Sequence, residues 1–244
     1  MGNKRDIVMA VNFFASDHDD RYPASVAKVG FTDRWNWSNP NKLIANDSPI
    51  WGQSRSVGAS LGAYLDKPKS VVCPQAPAPF RYLDEAWAQG DDWDNLDTPI
   101  QLDTLDGTYC FYWNYLGYLG GKRKLFYGPQ GPAGGRKAST LLVTDYFGYN
   151  YYRTPDAFVG CERFAGANVL PPTDIQSAYW TTAPDPNRPS PEIPVHAGYT
   201  DGHVEAFSSM EVTPLRVIKD RSEMIPYDDA ELGPGIFYLP TGKF

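Results

Sequence analysis

The segment from Lys4 to Asp17 constrains the fold more than any other. Ile7, Val11 and Phe14 recur at i, i+4 and i+7, and Val8, Ala10 and Ala15 widen the apolar stripe, while Asp6, Asn12 and Ser16 fall elsewhere. The pattern is that of an amphipathic helix of roughly 13 residues, marginal alone in water, so its stripe must lie against a partner surface. It begins almost at Met1 without an N-cap, and Gly2-Asn3-Lys4-Arg5 reads as an artificial junction. It ends in Asp17-His18-Asp19-Asp20-Arg21-Tyr22-Pro23, where the proline forbids continuation. The expectation is the lower part of a longer helix that begins at or before Arg5, with Ile7, Val11 and Phe14 facing a sheet.

The remainder of the 244-residue chain is rich in turn formers, with 22 glycines and 22 prolines, which points to an irregular, β-containing fold. Net charge is −7 and the pI is about 4.9. An acidic surface repels phosphate backbones, so nucleic acid is excluded as a partner, and no basic stripe speaks for an anionic membrane surface. Three cysteines, Cys73, Cys110 and Cys161, permit one disulfide, and none stands in a C-x-x-C pair of the kind that builds a structural zinc site. The sequence holds no apolar run long enough to span a bilayer and no secretory signal.

In order along the chain, Ser25 to Ile50 reads as a long excursion with little regular structure, and Ser54 to Leu65 as a second helix stopped by Lys67-Pro68. Ser70 to Cys73 reads as a short buried strand, Tyr82 to Ala88 as a short helix, and Thr108 to Tyr115 and Ser139 to Thr144 as strands, the last delivering Asp145 at its end. Val195 to Phe207 carries the clearest local signal. Asp201-Gly202 is a type I′ hairpin dipeptide, which would set Thr200 opposite His203 and Tyr199 opposite Val204. Val195, Ala197, Tyr199, Val204 and Ala206 would then share an apolar face, and His196, Thr200, His203 and Glu205 the other. Val212 to Ile218 and Gly235 to Leu239 would add strands to an edge. No break divides the chain, so residues 1–244 read as one domain: 1–24 the helix end, 195–208 the terminal hairpin, 209–244 a C-terminal extension.

Candidate chemistry is sparse. Gly58-Ala59-Ser60-Leu61-Gly62 spells the nucleophile elbow, and Asp145 and His196 follow in the hydrolase order, but an elbow needs a long helix after the serine, and Pro68 arrives within eight residues. A small-residue helix face that packs closely explains the motif as well. Asp201 and His203 are the candidate ligands for a single calcium or other ion; the acidic loops lack the EF-hand pattern. Trp35, Trp37 and Trp93 beside acidic residues suit a sugar-stacking surface, making an extracellular carbohydrate-binding, lectin-like module the alternative to a structural protein.

An ordered set of segments carries a resemblance. They are Ala10 to Pro23, Leu61-Gly62-Ala63-Tyr64-Leu65, Val72-Cys73-Pro74, Gly107-Thr108-Tyr109 with Asn114, Leu141 to Asp145, and His196 followed by Asp201-Gly202-His203-Val204-Glu205. Across residues 7–207 the chain resembles the soluble part of a type IV pilin-like protein near the type II secretion pseudopilins, in the prepilin-type family with a C-terminal histidine and D-G-H-V. The resemblance implies an α+β, pilin-like fold, with an N-terminal helix packed on an antiparallel sheet among long irregular loops. It also implies a prepilin leader and an apolar helix half preceding this chain, which anchor the precursor in the inner membrane and leave the domain on its periplasmic or extracellular face. The function implied is a non-enzymatic subunit of the general secretion pathway or a pilus-like system, with other pilin-like subunits or secretion machinery as partners and no cofactor. His196, Asp201, Gly202, His203 and Val204 are then a structural motif. In that oxidising compartment Cys73 is expected to pair with Cys110.

Overall fold

The structure, a computed structural model, describes residues 2–27, 39–46, 54–65, 68–74, 104–119, 124–134, 137–148, 158–159, 194–208, 211–220, 225–226 and 236–242. Helix α1 runs Gly2–Asp17. Ile7, Val8, Ala10, Val11 and Ala15 are fully buried, and each large apolar side chain so buried contributes about 1.5–3 kcal/mol, enough to hold a helix that would not persist alone. Phe14, at the stripe's margin, is only half-buried, stacked on His18 and edge-on to Tyr64. Past the helix, Asp19 and Asp20 take left-handed backbone (φ 53° and 56°), a conformation short polar side chains tolerate, and the His18 and Asp20 amides donate to the Ala15 carbonyl.

The strands, in chain order, are β1 Lys42–Asn46, β2 Ser54–Ser56, β3 Thr104–Asp106, β4 Tyr109–Phe111, β5 Leu116–Leu119, β6 Lys124–Tyr127, β7 Leu141–Asp145 and β8 Phe147–Gly148. They continue with β9 Phe158–Val159, β10 Pro194–Tyr199, β11 Val204–Ser208, β12 Val212–Arg216, β13 Ile218–Asp220, β14 Ile225–Pro226 and β15 Ile236–Pro240. A four-stranded sheet has the order β11-β10-β7-β4 and a six-stranded sheet the order β6-β5-β12-β15-β8-β9, with three- and two-stranded sheets beside them. Alternation along β4 shows how the core divides. Tyr109 and Phe111 pack with Ile7, Val8 and Val11 of α1, while Cys110 and Tyr112 pack with Leu215 of β12 and Phe237 and Leu239 of β15. The four-stranded sheet therefore buries both faces, one against α1 and one against side chains of the six-stranded sheet.

The expected α+β, pilin-like architecture is not what the chain forms. The described residues are mostly antiparallel β-sheet with two short α-helices, α1 and the five-residue α2 at Val57–Leu61, and no long pilin-like helix on a sheet is present. The physical cause is that segments read as loop or edge carry strands. β1 arises inside the Ser25–Ile50 excursion. Rather than decorating an edge, β12 and β15 occupy the middle of the six-stranded sheet, because Leu215, Phe237 and Leu239 are as buried as any core residue.

Local readings shift for similar reasons. Ser54–Leu65 divides into β2, α2 and a 3-10 turn at Gly62–Tyr64, with Ser56 capping α2 by accepting the Ala59 amide. Pro68–Val71 is a 3-10 helix and not a strand, and the Cys73 amide donates to the Thr108 hydroxyl instead of entering a ladder. The Tyr82–Ala88 helix and Trp35, Trp37 and Trp93 lie outside the described residues.

The hairpin forms, but one residue out of the expected register. Gly198 opposes Val204, and Val195 opposes Phe207. The Gly202 amide donates to the Tyr199 carbonyl, the Tyr199 amide to His203, and Gly202 has φ 91°. This is a three-residue loop, a turn closed by a left-handed glycine, which Asp-Gly serves as readily as a two-residue turn. The slip moves every β11 side chain to the opposite face. Glu205 and Phe207 thus join Val195, Ala197 and Tyr199, while Val204 and Ala206 join His196 and Gly198.

Candidate functional site

The residues with chemical character converge where α1 crosses β7 and β10. Lys4 shares a helix face with Ile7, Val8 and Val11, so a charge rides on the buried stripe and must be met there. Asp145, the last residue of β7, meets it: Lys4 Nζ lies 2.5 Å from Asp145 Oδ1, with the two side chains 3% and 2% exposed. The other carboxylate oxygen, Oδ2, accepts the backbone amide of His196 at 2.8 Å and lies 3.1 Å from its ring Nδ1. The ring of Tyr109 faces Lys4 Nζ at 4.3 Å from its centroid, within cation–π range. One carboxylate thus joins the N-terminal helix, β7 and β10.

The electrostatics follow from that geometry. Burial pushes the Asp145 carboxyl upward, but the hydrogen bond from His196 and the charge and hydrogen bond of Lys4 outweigh it, so it sits below the ordinary carboxylate range. Burial, and then the Asp145 charge, raise the Tyr109 phenol.

A second set of contacts ties the helix's far end. Asn12 donates its amide to the Thr200 carbonyl at the hairpin tip (3.2 Å) and accepts the Tyr22 hydroxyl at 2.7 Å. Asn114, itself left-handed (φ 52°), donates to the carbonyls of Tyr22 and Pro23 at 3.0 and 2.7 Å. The Tyr22 amide donates to Gln130. These bonds clamp the turn after α1 onto the loop following β4 and the connector after β6.

At the tip itself, Asp201 Oδ1 accepts the His203 backbone amide at 3.1 Å and faces its ring Nδ1 at 2.5 Å, and these bonds hold Asp201 below its ordinary range. The His203 ring stacks on Tyr199 with centroids 4.4 Å apart, and the Tyr199 hydroxyl donates to Glu205. The Asp201 oxygen expected to bind an ion is therefore engaged by its own turn. Among the described residues no three His, Cys, Asp or Glu side chains gather as a metal centre needs. His196 and His203 serve different carboxylates.

Other sequence candidates disperse. Asp145 and His196 of the hydrolase order do meet, but Ser60 sits half-buried on the five-residue α2, and among the described residues it makes no hydrogen bond to either. Cys73 is disulfide-bonded, but Cys110 is a buried thiol, so the Cys73–Cys110 pairing does not form. The two lie in different cores, Cys73 on the α1 side of the four-stranded sheet and Cys110 on the other, with β4 between. Cys161 lies outside the described residues. Lys4 went unnoticed in sequence, although its i, i+3, i+4, i+7 relation to Ile7, Val8 and Val11 places it on the buried stripe.

No helix among the described residues is long and apolar enough to cross a membrane. Comparison with protein-family models, curated proteins and solved structures finds no match.

Proposed function

We propose that the chain is a non-enzymatic structural subunit, akin to pseudopilins and pilin-like proteins in role, that serves a type II secretion or pilus-like system by assembly or surface contact. One observation carries this reading: the residues on which the resemblance rests engage one another. Asp145 binds His196, Asn12 binds Tyr22, Asn114 binds the Tyr22-Pro23 backbone, Thr108 holds Cys73, and Asp201 closes its own turn on His203. Polar groups satisfied by each other fasten a scaffold, whereas a site awaiting substrate keeps groups aimed at open space. The reading concerns role and does not require the pilin architecture that the chain lacks.

In this proposal the precursor is anchored in the inner membrane by an apolar helix preceding Met1, and the folded part stands on the periplasmic or extracellular side among other subunits or secretion machinery. The disulfide at Cys73 suits such an oxidising compartment. The coding sequence upstream of Met1 tests it. A short leader followed by an apolar stretch of about 20 residues is expected; an ordinary cleaved secretory signal there would sink the subunit reading in favour of the carbohydrate-binding module.

A further inference from the structure

We propose that Lys4 and Asp145 condense into an intramolecular isopeptide bond, so that the buried pair is a self-modifying site that ties α1 covalently to β7. The inference stands on geometry alone and is independent of the assembly role. Lys4 Nζ is 2.5 Å from Asp145 Oδ1, and the carboxyl carbon is bonded to that oxygen, so the amine already touches the group it would attack. Two packed elements hold the amine and the carboxyl together, which replaces an encounter in solution by a fixed contact.

The step needs no co-reactant. A proton passes from Nζ to Oδ1 along the existing contact, giving a neutral amine and a neutral acid, the form of the pair that can react. The amine lone pair attacks the Asp145 carboxyl carbon and an N–C bond forms, while negative charge gathers on Oδ2. That oxygen already faces the His196 backbone N–H at 2.8 Å and its ring Nδ1 at 3.1 Å, two nitrogens placed as an oxyanion hole places its donors when the ring carries its proton on Nδ1. A second proton moves from nitrogen to Oδ1, the C–O bond breaks, and water leaves. The third ammonium proton stays on the amide, so atoms and charge balance. With side chains 3% and 2% exposed and the Tyr109 ring against the nitrogen, bulk water has little access for the reverse hydrolysis.

Intact mass spectrometry of the purified, folded and then reduced chain tests this. The main species is expected to be lighter than the sequence by one water, and digestion should yield a branched fragment joining the Lys4 and Asp145 peptides. Lys4→Arg and Asp145→Ala should each restore the full mass. His196→Ala should form the light species at least about tenfold more slowly, from loss of one oxyanion donor. A wild-type chain at its full sequence mass overturns the proposal, and so does a light species that persists in Lys4→Arg, since its water was lost elsewhere. Acid unfolding gives an independent reading. A carboxylate held below its ordinary range stabilises above an unfolded pKa of about 4, and that stability is lost as pH falls through the folded value. The amide does not titrate, so wild type should keep this contribution in acid; losing it would leave only an ion pair.

Discussion

Replacing Asp145 by alanine is expected to cost about 3–5 kcal/mol of stability, because Lys4 is then left charged, buried and without its partner. The substitution also strands the His196 amide that donates to Oδ2. The loss should appear as a lower urea midpoint at neutral pH. Its cause can be separated from simple truncation. In Lys4→Met/Asp145→Leu the buried charge is gone and apolar volume fills its place, so the double variant should be more stable than Asp145→Ala despite carrying two changes. A double variant as unstable as the single would mean that the stranded charge is not what costs.

Gly128→Ala is expected to be at least as damaging, for a steric reason. A Cβ built on Gly128 would fall 1.6 Å from the Tyr112 carbonyl oxygen and 3.0 Å from the Tyr115 amide nitrogen, both backbone atoms. Those atoms belong to the turn between β4 and β5, closed by the Tyr115 amide on Tyr112, and the Gly128 amide itself donates to Tyr115. No rotamer change can relieve that overlap, so the turn or the strand after Phe126 must move, and Tyr112, Tyr115 and Phe126 pack there ring against ring. The loss should exceed about 4 kcal/mol, in the range that single substitutions seldom reach. Gly134→Ala is the control. Its φ is 65° with nothing within 4 Å, so only backbone strain of about 1–2 kcal/mol is expected. Thermal midpoints of the two variants check the difference; equal midpoints would mean that Gly128 does not lie against the turn.

Much of α1 was legible because a helical stripe is a local signal with one consistent burial pattern, and Ile7 and Val11 bury as their spacing requires. Phe14 packs against the same core only in part because it lies at the stripe's margin, beside His18 and Tyr64. The hairpin was legible in existence but not in register, since Asp-Gly suits both loop lengths; the register that forms sets Val204 opposite Gly198. Val71-Val72-Cys73 shows tertiary override: Val71 ends a 3-10 helix, and Thr108 and Asn3 meet the Cys73 amide and the Val72 carbonyl that a strand would have paired. The pilin-like architecture failed for a different reason. Short matching segments constrain local contacts, and the contacts among them do form, but they do not say how many strands the unmatched C-terminal residues will add. The site itself was half legible. His196, Asp201 and His203 were named, and Asp145 was named as a strand end and in the hydrolase order, but its lysine partner was read as a junction residue.

Amide hydrogen exchange on wild type and Asp145→Ala tests most directly whether this polar centre fastens the N-terminal helix to the sheet. In the variant, protection should fall along residues 7–15 of α1, at the end of β7 and around His196, while β12 and β15 keep theirs; His203→Ala, confined to the exposed tip, should leave α1 unchanged. If α1 exchanges in Asp145→Ala as slowly as in wild type, the carboxylate does not hold the helix, and the account of the signature residues as fasteners is wrong.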